Sequence, residues 1–306
     1  MDIQERLALM TKAATIGGNQ ALVKRGRSPI VADTGGGGLT TAEDEAVQTT
    51  VMRILHEGDP DVNIIGEEAV DKHMTEQVYV IDPIDGSVSY SRDGHEWGCT
   101  VAFKNGDDIE AGVIYQPRTD TLTTAMRGGR VSIVERGEEQ EIPRVSDGPV
   151  NLSKLVAIAP LSSEFSDDVL LDVFVPLLRS MRFTVMSGSN TDGIKRLILG
   201  HVDVFIGWGS LWDFAVGKLC VEMLGGAGAT FHGDPIDVNV IAPQRVVLTK
   251  SRALLDAVLP LTRAWPIDRE KRTRRYQVLL AASNERLFHT LIGDEKTSSQ
   301  QMPNPV

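Results

Sequence analysis

The segment YVIDPIDGS, residues 79–87, places two carboxylates, Asp82 and Asp85, three residues apart at the end of an apolar run. Pro83 and Gly86 are residue types that tight turns use, and a turn holds its first and fourth Cα atoms within about 7 Å. Carboxylates that close repel, so one takes a proton or both share a cation. The apolar residues before them predict that Asp82 leaves a buried strand, where an unpaired charge is costly. On these residues alone a solvated acidic turn is the other reading. Three more acidic positions invite the same question: Glu67 and Glu68 in IIGEEAV, Asp213 in LWDFAVG, and Asp44 in TTAEDE. Singly they read as surface charge after a strand, a helix cap, and a first-turn acid that suits the helix dipole. No phosphate-accepting His or Cys loop is evident. His95 reads as loop and Cys99 as strand core.

The elements that must position these groups follow from periodicity. Residues 3–25 read as a helix with Leu7, Met10 and Ala14 on one face, weakened by Gly17 and Gly18. The glycine run Gly35–Gly38 predicts a mobile loop; no Gly-Lys-Ser/Thr follows it, so it is not a Walker phosphate loop. A helix restarts near Thr40, where Thr40 and Glu43 have capping-box spacing, with Val47, Val51, Ile54 and Leu55 as its apolar stripe. Strands are expected at 62–65, 79–82, 98–103, 109–115 and 121–126, with KNGDD as a hairpin turn. The first half therefore reads as two helices and an antiparallel meander. After about Val145 the rhythm changes to alternating strands and helices, with helices near 166–180, 190–199 and 213–224. This gives an N-terminal α+β domain over 1–145, a C-terminal α/β domain over 146–266, and a tail over 267–306. In that tail DREKRTRR is a charged linker, 276–292 an amphipathic helix with Tyr276, Leu280, Leu287 and Leu291 on one side, and the last residues a disordered end. The apolar face of that helix needs a cover, and a second copy of the chain is the expected one, making a homodimer.

Composition narrows the partners. The chain has 306 residues, a net charge of −11 and two cysteines. The charge disfavours nucleic acid and anionic membranes, but a phosphorylated substrate remains possible where acidic residues hold cations. Two cysteines cannot build a disulfide framework, and the first 25 residues lack the order of a signal peptide, so a cytoplasmic location is expected.

Taken together, in this order and spacing, GEE, DPIDGS and WDFAVG…EMLGGAGA resemble the three signature segments of the inositol monophosphatase family, and GLTTAEDEAV resembles its upstream segment. The resemblance covers residues 4–262. It implies a layered α-β-α-β-α sandwich of the sugar-phosphatase type, with an antiparallel sheet in the first half and mixed α/β structure in the second. It also implies two or three Mg²⁺ ions per site. Carried over by position, Glu67, Asp82 and the Ile84 carbonyl would bind one ion, and Asp82, Asp85 and Asp213 a second, an oxygen-only set of the kind Mg²⁺ prefers. Gly86 and Ser87 would present backbone N–H groups to the phosphate. Asp44 and Ser87 match the acid–hydroxyl pair that orients the attacking water, with serine where the family usually has threonine; Glu67 is counted with them among the catalytic residues. The implied reaction is hydrolysis of a small phosphorylated metabolite by direct attack of a metal-activated water.

Departures from the pattern bear on the substrate. Inositol-hydrolysing members carry a hydroxyl-receiving glutamate seven residues before the metal-binding aspartate, and Ile206 stands at that offset here. Asn190, where alanine is common, could read hydroxyls or a base edge with Thr191 and Asp192, or Asn190 and Thr191 could simply cap a helix. Trp97 and Trp208 are candidates for ring stacking. A polyhydroxylated or nucleoside-like phosphate is the expected substrate. Histidinol phosphate, a sugar bisphosphate, a 3′-phosphonucleotide, or a non-catalytic binding role are the alternatives.

Overall fold

The structure is a computed structural model that describes residues 1–33, 38–68, 73–143, 149–159 and 170–263. Most of the glycine run, the proposed boundary near Val145, the start of the helix expected at 166–180 and the whole of 267–306 lie outside the described residues.

The chain opens with α1 (Ile3–Lys24), a small hairpin of β1 (Ile30–Asp33) and β2 (Leu39–Thr41), and α2 (Ala42–Gly58). α1 runs unbroken through Gly17 and Gly18, which let it approach its neighbours. A Cβ on Gly17 would lie 2.7 Å from Val51 Cγ2, and one on Gly18 would lie 2.7 Å from Tyr115 Cδ1. The cap of α2 falls one residue later than expected. Thr41 is the N-cap and Asp44 its reciprocal partner, while Glu43 turns away to Gln20 and Lys24 of α1.

A seven-stranded sheet follows, in the order β3 (Asn63–Gly66), β4 (Gln77–Asp85), β5 (Gly98–Asn105), β6 (Asp108–Gln116), β7 (Thr121–Met126), β8 (Val131–Glu135) and β9 (Glu138–Glu139). From β4 onward it is the expected antiparallel meander, whereas β3 and β4 run parallel. Between β4 and β5 sits the short helix α3 (Ser87–Ser91).

The second half forms a five-stranded sheet. Its members are β10 (Val156–Ala159), β11 (Phe183–Met186), β12 (Val204–Gly209), β13 (Ala227–Thr230) and β14 (Gln244–Thr249), in the order β11-β10-β12-β14-β13. Its helices are α4 (Val175–Ser180), α5 (Asn190–Ile198), α6 (Leu211–Met223) and α7 (Arg252–Thr262).

Strand alternation explains the layering. Tyr79, Ile81, Val101 and Phe103 face α1 and α2, while Val78, Val80 and Ala102 face the opposite way onto α5 and α6. Phe205, Val246 and Leu248 of the second sheet cover the other side of those two helices. Val204, Ile206 and Val247 point outward into a third cluster with Leu177 of α4 and Leu255 of α7. The result is an α-β-α-β-α sandwich, and its central helix layer starts at one edge of both sheets. The described residues contain no helix long and apolar enough to cross a membrane.

Candidate active site

Asp82 and Asp85 do not close a turn. Both belong to β4, and the register against β5 slips by one residue between them: Asp82 faces Thr100 and Asp85 faces Gly98. In a regular strand, residues three apart point to opposite faces. The extra residue of this bulge reverses the parity, so Ile84 joins Tyr79 and Ile81 in the core under α1 and α2. Asp85 is thereby delivered to the same side as Asp82, toward α5 and α6.

There the two meet Asp213. One carboxylate oxygen each from Asp82, Asp85 and Asp213 lies within 4.8 Å of the others. Asp213 is the third residue of α6, which starts two residues earlier than the sequence implied, and its carboxylate accepts from the Ser210 N–H at 2.7 Å in a capping box. Gly209 leaves room for that carboxylate, since a Cβ there would overlap it. Asp82 accepts from the Ile84 N–H at 3.1 Å. Asp85 accepts from the N–H groups of Asn190 and Thr191 at the start of α5.

Glu67 follows β3, and its side chain hydrogen-bonds to Asp82. The loop is fixed by Gln48, whose Oε1 accepts from the Glu68 N–H at 2.9 Å, close against the backbone of Gly66. Asp44 is 1% exposed and doubly held. Its Oδ2 accepts from the N–H and hydroxyl of Thr41, and its Oδ1 accepts from Ser87 Oγ at 3.0 Å. Ser87 Oγ also lies 3.0 Å from the Ile84 carbonyl, so one hydroxyl proton has two acceptors. Gly86, with φ of 94°, occupies the left-handed region that lets the chain leave the bulge and enter α3. A Cβ there would collide with Glu96 O and Ser189 Cβ.

The electrostatics call for a cation. Burial raises the pKa of Asp82 and Asp213 well above the usual carboxylate range, and their negative neighbours push further in the same direction. Burial first, and the charge of Glu68 second, push Glu67 up to about 7. Asp85 and Asp44 are also raised by burial, opposed by the donors of Asn190 and Thr191 in one case and of Thr41 and Ser87 in the other. A divalent ion among these oxygens would offset the cost of holding negative charge in a buried site, so the donor set fits Mg²⁺.

Several expected substrate contacts are not at the cleft. Ile206 is 1% exposed and packed in the outer cluster, because even-numbered residues of β12 face α4 and α7. The position on this strand that faces Asn190 is Gly207, where a Cβ would lie 3.4 Å from Asn190 Oδ1. Thr191 is fully buried with its hydroxyl 3.0 Å from Ser189 Oγ, and Asp192 is paired with Arg196 at 2.7 Å. Neither is offered to a ligand. Ser189, not Asn190, caps α5. Trp97 is core, edge-on to Tyr90 at 5.0 Å, and Trp208 lies on the outer face of β12 beside Arg245. His95 is exposed in a loop and Cys99 buried in a strand, as read from the sequence. The sequence reading overlooked Thr41, Gln48, Ser210 and Gly207. Thr41 and Ser210 carried a signal, since Thr41 with Asp44 and Ser210 with Asp213 have the same capping spacing as Thr40 with Glu43.

Comparison with known proteins identifies the family. Residues 2–264 match the model of the inositol monophosphatase family. The chain is 27% identical over 213 residues to an inositol monophosphatase of Dictyostelium discoideum, covering 66% of this chain and 75% of that one. It is 25% identical over 233 residues to the Nus factor SuhB of Escherichia coli, covering 74% and 85%. Among solved structures, the IMPase of Thermotoga maritima superposes with a TM-score of 0.71 at 22% identity, covering 84% of this chain and 96% of that one. An inositol monophosphatase from Anabaena gives 0.69 at 23% identity, covering 85% and 96%. With its fold shared by these structures and the family model matched from end to end of the two-sheet body, this chain belongs to the inositol monophosphatase family of Mg²⁺-dependent phosphatases.

Proposed function

We propose that this protein is a Mg²⁺-dependent phosphomonoesterase acting on a small polyhydroxylated or nucleoside-like phosphate. The observation that carries the reading is the convergence of Asp82 and Asp85 from one strand with Asp213 from a helix start, one oxygen each within 4.8 Å. These three, with Glu67 and the Ile84 carbonyl, would hold the ions. When bound, Mg²⁺ polarises a phosphoryl oxygen, lowers the pKa of a bound water and offsets charge on the leaving alkoxide.

The chain's own residues supply the rest. Ser87 Oγ donates to Asp44 at 3.0 Å, which leaves its lone pairs free to accept from the attacking water. As that water gives up its proton to Ser87, Ser87 passes its own to Asp44. Burial raises the Asp44 pKa, which makes it the better acceptor. Backbone N–H groups of Gly86 and Ser87 would meet phosphate oxygens. On the substrate side, the Asn190 carboxamide oxygen can accept from a hydroxyl or an amino group, while Gly207 beside it makes room for the Phe205 ring.

A binding or regulatory role is the second reading, favoured by relatives described as Nus factors. The complete carboxylate set supports catalysis instead. The deciding experiment measures phosphate release from a broad panel of metabolite phosphates with Mg²⁺ and with chelator. Chelator-sensitive release from at least one polyol or nucleoside phosphate is expected. No release from any panel member would leave the binding role in its place, and metal-independent release would overturn the Mg²⁺-dependent reading.

A further inference from the structure

The cluster is tied together by one side chain that belongs to neither pair of ligands. Asn190 Nδ2 donates to Asp213 Oδ1 at 2.9 Å and reaches Asp85 Oδ1 at 3.5 Å. The backbone N–H of the same residue donates to Asp85 Oδ1 at 3.2 Å, and that of Thr191 to Asp85 Oδ2. A carboxamide nitrogen carries two hydrogens, so it can serve both acids at once. Asp85 comes from the seven-stranded sheet and Asp213 from α6, and Asn190 is the first residue of α5. Its backbone is fixed by the Ser189 cap, and the side chain is 8% exposed.

We propose that Asn190 is a positioning residue for the cation shared by Asp82, Asp85 and Asp213: its carboxamide holds Asp213 against Asp85 and thereby sets the affinity of that ion. The inference rests on the metal-site reading above. Each carboxylate oxygen has two lone-pair directions, so a donor on one leaves the other for a cation. With alanine at 190, the backbone bond to Asp85 would persist. Asp213 Oδ1 would lose its donor, leaving Asp213 held through Oδ2 by the Ser210 N–H. The carboxylate could then rotate away from the cluster, and the ion would have to reorder it on binding. Outer partners of this kind typically contribute about 10–100-fold to metal affinity. The opposite effect is also physically defined. If the amide occupied a position the ion needs, its removal would tighten binding.

The test is calorimetric titration of Mg²⁺ into metal-stripped protein without substrate, repeated with Mn²⁺ and read by electron paramagnetic resonance. Asn190→Ala should weaken one ion by about tenfold or more and leave any other ion unchanged, a selectivity that general loosening of the fold would not produce. Melting in chelator shows that the variant is folded. Should Asn190→Ala fail to fold, Asn190→Ser keeps a small polar residue at the helix start and should weaken the same ion. Equal or tighter binding of that ion in the folded variant overturns the Asn190 role and leaves the metal site standing. Equal weakening of both ions also overturns it. Wild-type protein that binds no divalent cation overturns the metal-site reading itself and the inference with it.

Discussion

At the scale of single residues, charge in the cluster and one hydroxyl are the sensitive points. Asp85→Asn or Asp213→Asn removes one negative charge from a set built to hold cations. Each should lower kcat by at least about 10³, several kcal/mol of transition-state stabilisation. Folding should survive, because relieving buried repulsion offsets the lost hydrogen bonds; circular dichroism and steady-state kinetics on the same samples check both halves. Near-normal turnover at saturating Mg²⁺ would remove these residues from the site. Ser87→Ala should cost about 10²–10⁴ in kcat with little change in KM, the usual worth of general-base assistance. Ser87→Thr should retain activity, since the hydroxyl remains. Equal turnover in the alanine variant would mean that Asp44 and Ser87 only close the cap of α2. The residue types at these positions were legible in the sequence. Their contacts were not: Ile206 sits at the expected offset from Asp213, yet the parity of β12 turns its side chain into the core.

At the scale of elements, the site depends on three local features: the bulge in β4, the reciprocal cap of α2 and the reciprocal cap of α6. A capping spacing was visible at Thr40 and Glu43 as well as at Thr41 and Asp44. Both acids are buried, and their partners decide between them. Glu43 is taken by Lys24 at 2.8 Å, which fastens α2 to α1, while Asp44 turns to Ser87. The proline and glycine around Asp82 and Asp85 read as a turn because bulges and turns use the same residue types. The glycines of α1 give a test at this scale. Gly17→Leu gains helix propensity worth less than about 1 kcal/mol, whereas forcing extra methylenes into a packed interface typically costs 1–3 kcal/mol. The variant should therefore unfold at lower urea concentration. Unchanged stability would mean that the close approach to Val51 is not required.

At the scale of the molecule, the sandwich stores unfavourable electrostatics that ion binding relieves. Burial raises Glu67 from 4.5 to about 7, so the metal-free fold binds a proton there more tightly than the unfolded chain does. The contribution of this group to stability is complete below about pH 4.5 and is lost as the pH rises through about 7. Mg²⁺ requires the deprotonated acids. Its stabilising effect should therefore be larger above pH 7 than near pH 5, measured as the shift in melting temperature on adding Mg²⁺ at each pH. A shift that shrinks as the pH rises would contradict the assignment of Glu67 to the metal site. The segment beyond Pro266 lies outside the family match, which ends at residue 264. We propose that it serves self-association. Truncation after Pro266 should reduce the mass seen by light scattering and leave turnover intact; the same mass with and without the segment would dismiss that role.

The sequence by itself determined the acidic positions, their order, and the alternation that separates a meander from an α/β half. Those depend on residue type and short-range period, which the chain carries locally. Only the tertiary structure decided which carboxylates converge, because Asp82 and Asp213 lie 131 positions apart and meet through the packing of one helix layer between two sheets. It also decided the substrate side. Whether a residue lines the cleft or fills the core depends on strand parity, and a single bulge or a one-residue shift reverses it. That is why Asp85 turns toward Asp213 while Ile206 turns into the outer cluster.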